Sequence, residues 1–514
     1  MEHLLVCDVP SIKQYVFGTE RLTEIRGASG LLDDLNRRKT TARLKQQLGE
    51  DKVICDYAGG GSAQFRITAS STDLEAAIQS LKGLFHQETN GGLRLIAGHA
   101  ERTDSGYRNA LDRAFVMLER EKDEEPFPAT SPLHNGLLRE CGSCSAPASE
   151  IYRHADDDLI VCSVCRKKSE YTKMNRDHWS EFNQYLNKNG FPTAERPRDL
   201  ESIGEKSAKQ GYLALVYADG NSIGKLVKSI NTPERFTFFS KTVDESIREA
   251  CHEALQKKCL DSGGTADILL LGGDDLLVCL TADTAFPFAC AVARKFEEKT
   301  QARFAANPKL SPEVLNGQGI TISLGVVFAK SHTPFSILLD QADELLKSAK
   351  EGGADDTRPR RSAYYAPAYL DFHVFAQFNQ VKVAESRQRY LTREFPTSKK
   401  LLLYQKPYRI EDAAALLDHA RKLAESGIFP SRLKQLGRAP FLGKNSGSLA
   451  CLKLIGRARD KTHKECIWNA LKQFKCDFTL PWREQKDAFS TMLADLMEVV
   501  EFLPTPEKER RTDA

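Results

Sequence analysis

Apolar and polar positions follow two rhythms along the first hundred residues. HLLVCDV (3–9) is a short, nearly continuous apolar run that predicts a buried strand. TERLTEIRGASGLLDDLNRRKTTARLKQQL (19–48) places apolar residues at helical spacing. KVICDYAGGGSAQFRIT (52–68) predicts two strands joined at a glycine turn. TDLEAAIQSLKGLFHQE (72–88) predicts another helix and LRLIAGHA (93–100) another strand. The order β-α-β-β-α-β fits a ferredoxin-like α+β sheet.

Residues 211–350 repeat this order. YLALVYAD (212–219) predicts a strand, followed by helical IGKLVKSI (223–230) and residues 233–258. DILLL-GGDD-LLVCL (267–280) predicts a hairpin, 285–306 a helix, GITISLGVVFA (319–329) a strand and 334–353 a last helix with a glycine cap at Gly352 and Gly353. GGADDTRPRRS (352–362) reads as a loop. From about 396 the pattern is mostly helical, as in 410–427 and 485–503.

The two α+β segments read as an internal duplication. Asp8-Val9-Pro10-Ser11-Ile12 parallels Asp219-Gly220-Asn221-Ser222-Ile223. The glycine turn starts 51 residues after Asp8 (Gly59) and 53 after Asp219 (Gly272). The first turn is Gly59-Gly60-Gly61-Ser62 and the second Gly272-Gly273-Asp274-Asp275, so one copy lacks the turn carboxylates. EKDEEPFPATSP (121–132) marks a boundary by charge and proline. The expected domains are a degenerate first unit (1–120), a cysteine-containing linker domain (133–205), a second unit (206–360) and a mainly helical, basic C-terminal domain (361–514).

Composition narrows the class. With 514 residues, 41% apolar and 28% charged, the chain can bury several cores without disulfides. No apolar run approaches the roughly 20 residues of a membrane span, and MEHLLVCDVPSIKQ lacks the layout of a signal peptide. A cytoplasmic protein with no membrane partner is expected. Net charge is only +3, yet residues 431–476 carry eleven Lys or Arg against two acids, leaving −6 for the remainder. That stretch suits RNA backbone, a protein partner or simply solvent; its sparse aromatics (Phe441, Trp468, Phe474) do not indicate base stacking.

The candidate chemistry sits at Gly272-Gly273-Asp274-Asp275. Two adjacent carboxylates beside apolar strands repel each other, and a divalent cation offsets that cost. Asp219 ends a strand expected beside the hairpin. Asp219, Asp274 and Asp275 can then converge as a two-metal site for Mg²⁺ or Mn²⁺. Taken alone, the four residues would also make a simple β-turn. Gly220-Asn221-Ser222-Ile223-Gly224 leads into a helix start, where free N–H groups favour phosphate; a plain βα turn with Asn or Ser as N-cap has the same pattern. Lys350 is the candidate to pair with a triphosphate, although a last-turn lysine also serves the helix dipole.

DGNSIG, GGDD and the helix ADELLKSAKEGG resemble the polymerase/cyclase palm. The closer resemblance is to the large GGDD palm subunit of type III CRISPR effector complexes, in the form without an N-terminal histidine-aspartate nuclease domain. IKQYVFGTERLTEIRGASGLL (12–32) is similar to its first palm. The resemblance implies two ferredoxin-like palms, the first degenerate, a zinc ribbon between them and a helical C-terminal domain. It implies conversion of ATP to cyclic oligoadenylate when target RNA binds a complex of effector subunits and guide RNA. By position, Asp219, Asp274 and Asp275 are the catalytic and metal-binding residues. Gly220, Asn221, Ser222, Ile223, Gly224, Gly272, Gly273 and Lys350 hold nucleotide, and Gly60, Gly61 and Ser62 line a first-palm pocket for the acceptor ATP. Diguanylate cyclases share the palm but have Glu where Asp275 stands. Two departures are visible: Asn221 replaces a common Asp, and no histidine is followed by Asp, so DNA cutting is not expected. A standalone cyclic-dinucleotide or oligonucleotide synthase and a non-catalytic nucleotide-binding scaffold are the alternatives.

Cys141-x-x-Cys144 and Cys162-x-x-Cys165, 17 residues apart, have the spacing of a structural four-cysteine Zn²⁺ ribbon. Two redox dithiols are the rival reading. The other nine cysteines fall mainly in apolar runs and read as core residues.

Overall fold

The computed structural model describes residues 1–102, 106–124, 139–154, 157–174, 177–358, 362–375, 381–395, 398–426, 428, 430–457, 461–476 and 481–504. Most of the 121–132 boundary and part of the 352–362 loop lie outside these residues, as do Arg459 and Asp460 of the basic stretch.

The first unit runs β1 (Glu2–Asp8), α1 (Ile12–Phe17), α2 (Leu22–Asp34), a π-helical turn (Leu35–Lys39), α3 (Thr40–Leu48), β2 (Val53–Gly59), β3 (Ser62–Thr68), α4 (Ser71–Glu88), β4 (Ile96–Glu101) and α5 (Gly106–Glu124). Its sheet order is β2-β3-β1-β4, antiparallel throughout. This is the split β-α-β of a ferredoxin-like palm. The expected helix over 19–48 is divided in three: a start at Leu22, the π-turn, and α3.

The linker unit holds the hairpin β5 (Glu150–His154) and β6 (Asp157–Val161), then α6 (Ser163–Thr172), α7 (His178–Lys188) and α8 (Leu200–Glu205). The second palm follows: β7 (Tyr212–Gly220), α9 (Ile223–Ser229), α10 (Pro233–Lys258), β8 (Ala266–Gly272), β9 (Asp275–Thr281), α11 (Ala282–Ala306), β10 (Ile322–Lys330) and α12 (Phe335–Ala354). Thr232 caps α10 by accepting the Arg235 N–H at 3.3 Å, with Pro233 in the first turn. β7 is buried along almost its whole length because helices cover one face of its sheet and the first palm the other.

The second sheet is wider than a bare palm. Its order is β14-β11-β10-β7-β9-β8, with β11 (Tyr369–Phe375) parallel to β10 and β14 (Tyr408–Arg409) at the edge. α12 continues through Gly352 and Gly353 to Ala354, so the expected glycine cap is not there. These glycines instead admit neighbours: a Cβ on Gly352 would lie 2.7 Å from Pro407 Cγ, and one on Gly353 3.0 Å from the Pro367 carbonyl.

Beyond β11 come α13 (Val383–Ser386), β12 (Thr392–Phe395), β13 (Ser398–Leu402), α14 (Ile410–Glu425), α15 (Pro430–Arg438), α16 (Lys444–Gly456), α17 (Lys461–Gln473), β15 (Arg483–Glu484), β16 (Ala488–Ser490) and α18 (Leu493–Val500). The helix expected over 485–503 is thus corrected to a short strand and a shorter helix. Ala488 and Ser490 are buried on one side of β16, which pairs in parallel with β13. Strand pairing there overrides a locally helical pattern.

One apolar cluster joins Leu5, Cys7, Phe65 and Leu31 of the first palm to Leu215, Tyr217, Leu277 and Val327 of the second. The palms therefore share a core rather than touching at a rim. A second cluster packs α10 and α11 against β7 and β9 and continues into the C-terminal helices.

Candidate active site

Asp219 lies at the end of β7. The register that pairs Ala218 with Leu276 runs on toward Asp275 at the start of β9. Gly272 pairs with Asp275 across the turn, and Gly273 has φ +62°, a conformation open to glycine. Gly220 is equally constrained: a Cβ there would sit 2.6 Å from Asp274 Oδ2. The sequence thus folds so that Asp219, Asp274 and Asp275 meet at one sheet edge.

Lys350 reaches this edge from α12. Its ammonium pairs with the Asp219 carboxylate and donates to the Gly220 carbonyl at 3.3 Å. Asp219, Gly220, Ser222, Ile223, Gly224, Lys225, Lys228, Asp274 and Lys350 line an open cavity of about 510 Å³. Ser222 has φ +62° and leads into α9. Asn221 points elsewhere: its amide donates to Thr321 Oγ1 at 2.8 Å and its oxygen accepts from Ser323 at 3.0 Å. It fastens the loop to β10, which occupies its polar atoms away from the cavity.

The electrostatics show a frustrated cluster. Burial, then the Asp219 and Asp275 charges, push the Asp274 carboxyl well above the ordinary range, against the pull of Lys350. Burial and Asp219 raise Asp275 to about 7, with Lys13 and Lys350 opposing. Carboxylates held together at this cost suit hard divalent cations, and the all-oxygen donor set fits Mg²⁺ or Mn²⁺.

Across the palm interface the glycine turns face each other. A Cβ on Gly60 would lie 3.9 Å from the Gly272 oxygen and from Gly273 Cα. Ser11 (φ +61°) matches Ser222 (φ +62°), and Asp8 pairs with Ser62 where the second palm has Asp219 and Asp275. The backbone thus preserves the duplication that the side chains have lost. Ser62, Asp8, Tyr57 and Gln64 line a cavity of about 400 Å³ that extends to Gly273, Asp274 and Ile223. Gly60 and Gly61 instead line a second cavity of about 380 Å³ with Lys13, Tyr217, Gly272 and Asp275.

Sequence reasoning missed Lys13, Lys225, Lys228 and Asp343. Lys13 pairs with Asp343 at 2.7 Å, its ammonium 5.1 Å from the Tyr217 ring centre, so the first palm brings a cation toward Asp275. The repeat aligns Lys13 with Gly224, so it carries no signal for this cation.

The four cysteines also converge. The Sγ atoms of Cys141, Cys144, Cys162 and Cys165 lie within 4.8 Å of one another, and Cys144 and Cys162 are 3.7 Å apart. Hydrogen bonds from Cys144 and Cys165 pull the Cys162 thiol down, while those partners are pushed up. One soft cation would satisfy all four sulfurs, so the donor set fits Zn²⁺. Ser143 donates to Glu24 at 2.6 Å, and Lys168 to the Tyr15 carbonyl, docking this unit on the first palm.

Residues 212–357 match the family model for the second palm domain of Cas10/Cmr2. They form a Cas10-type second palm. Around this palm the chain has the fold of Csm1: Csm1 of T. onnurineus superposes with a TM-score of 0.59 at 13% identity, over 98% of this chain and 70% of that one. A Csm1–Csm4 cassette in complex with pppApApA gives 0.60 at 12% identity, over 98% and 69%. A cassette in complex with cA4 gives 0.58 at 14%, over 98% and 70%. The chain spans 53% to 70% of the length of such solved Cas10-like chains. No curated protein matches it in sequence. Among the described residues no helix is long and apolar enough to cross a membrane.

Proposed function

We propose that the protein is a nucleotidyltransferase that converts ATP to cyclic oligoadenylate and pyrophosphate as a subunit of a type III CRISPR effector complex. The observation that carries this reading is the convergence of Asp219, Asp274 and Asp275 with Lys350 at the edge of a Cas10-type palm. The solved relatives bound to pppApApA and cA4 support the adenylate product class. Two Mg²⁺ or Mn²⁺ ions held by the three carboxylates would supply the charge that such transfer needs at the attacking 3′-hydroxyl and the leaving pyrophosphate.

The chain's own groups do the rest. Lys350, Lys225 and Lys228 attract the triphosphate, and the Gly220–Gly224 loop lets it approach the backbone. Gly60, Gly61 and Ser62 border space for a second nucleotide, whose hydroxyl would face the first across the paired turns. Holding both in register converts a bimolecular step into an intramolecular one. The four cysteines hold structural Zn²⁺. Csm4-like and other effector subunits, guide RNA and activating target RNA are the partners, and the cytoplasm is the compartment.

Pyrophosphate release from ATP and Mn²⁺ tests this, with the chain alone and with co-expressed neighbours and RNA, beside Asp274→Ala/Asp275→Ala. Release lost in the variant supports the transferase. Release without partners favours a standalone synthase. ATP bound with no release under any condition leaves a nucleotide-binding scaffold.

A further inference from the structure

The underside of the GGDD turn is held by charges from both palms. Gly273 donates its backbone N–H to Asp244 Oδ1 of α10 at 2.9 Å. Arg248, one helical turn on, donates through Nε to both Asp244 oxygens at 3.3 and 3.2 Å. Its remaining nitrogens reach Asp33 at 3.2 Å and Glu181 at 2.6 Å. The other Asp244 oxygen takes the guanidinium of Arg37, which comes from the first palm. Asp244 is buried, which alone would raise its pKa. Arg248, Arg37 and the Gly273 N–H outweigh that and hold it below the ordinary range.

Arg37 lies in the π-turn Leu35–Lys39, the interruption between α2 and α3. Such turns occur often at functional positions because the extra residue re-aims its neighbours. Here consecutive arginines part company. Arg38 pairs with Asp34 at the end of α2 at 2.5 Å, while Arg37 keeps only a looser 3.7 Å contact with Asp33 and crosses to Asp244 of the second palm. Tyr57 of the same palm lies on the other side of the turn, 3.2 Å from where a Gly273 Cβ would be.

We propose that Arg37 is a positioning residue of the degenerate palm. Through Asp244 it fixes the Gly273 peptide, and thereby the directions in which Asp274 and Asp275 leave the turn. The first palm's place relative to the second then sets whether the carboxylates converge. This rests on the nucleotidyltransferase reading for its kinetic consequence, though not for its structural one.

The test uses the full chain with Arg37→Ala, Arg37→Lys and Arg38→Ala as control. Two readouts are taken: hydrogen exchange of the Gly273 amide, and kcat and KM for ATP. Loss of a hydrogen bond worth about 1.4 kcal/mol corresponds to roughly tenfold faster exchange at Gly273. β7–β9 amides should be unchanged in Arg37→Ala. A misplaced turn lowers kcat on the order of 10²-fold at constant KM. Lysine, which keeps the charge but not the planar fork, should restore little of either.

Gly273 exchange and kcat equal to wild type would overturn the proposal. So would a uniform loss of protection across both palms in the alanine and lysine variants alike, since that is a structural role. A wild-type chain that makes no product under any condition refutes the transferase reading instead, and Gly273 exchange alone then decides the link.

Discussion

Replacing Asp275 by Asn should stabilise the metal-free protein, and the gain should depend on pH. The Asp275 carboxyl titrates near 7 in the folded chain against 3.8 ordinarily. Between those values the folded state holds a proton that the unfolded state has released. Stability therefore falls as pH rises from about 4 to about 7 and stays low above that. At about 1.4 kcal/mol per pH unit, the charged Asp275 costs about 4 kcal/mol at pH 8. Asn at 275 carries no charge to desolvate. In EDTA at pH 8, Asp275→Asn should raise the palm's unfolding temperature on the order of 10 °C, at roughly 2–4 °C per kcal/mol. At pH 4.5 the difference should shrink to about 1 kcal/mol. Mn²⁺ at 100 times its Kd should close more than half of the pH 8 gap, because it contributes about 2.7 kcal/mol to wild type only. Calorimetry across pH, with and without Mn²⁺, reads all three. Equal stability in EDTA at pH 8, or a difference unchanged at pH 4.5, would refute the account of the cluster.

Three further outcomes are expected. Gly220→Ala places a Cβ 2.6 Å from Asp274 Oδ2 and should cut turnover on the order of 10²-fold with the fold intact by circular dichroism. Cys162→Ser removes one of four clustered sulfurs, so zinc should fall from one per chain to none by elemental analysis, with proteolysis appearing near residues 139–172. Asp371 is fully buried and bound by two Arg387 nitrogens at 2.8 and 2.6 Å; Asp371→Ala leaves that guanidinium unpaired and should cost about 3–5 kcal/mol in urea unfolding.

Much of the fold was legible because its strands carry their burial in sequence. YLALVYAD and DILLL-GGDD-LLVCL are apolar enough to mark β7 and the β8–β9 hairpin, and the repeat from Asp8 and Asp219 located the second palm by analogy with the first. β11, β14 and β16 were not legible. Their strand character comes from pairing with β10, β11 and β13, which local periodicity does not report. The carboxylates and cysteines could be named from spacing because their chemistry needs those types at those intervals. Asp244, Arg37 and Lys13 could not. Each matters through a partner 29 to 330 residues away, as in Gly273–Asp244 and Lys13–Asp343, and nothing in the neighbouring sequence distinguishes them from solvated charges.

The most direct measurement is the identity of the product. Wild type and Asp274→Ala/Asp275→Ala would be incubated with ATP and Mn²⁺, with effector subunits and target RNA present, and the nucleotides resolved by mass spectrometry. Rings of adenylate without a 5′-triphosphate, formed by wild type and absent from the variant, are the predicted result. The same products from both proteins, or only unreacted ATP from wild type, would contradict it.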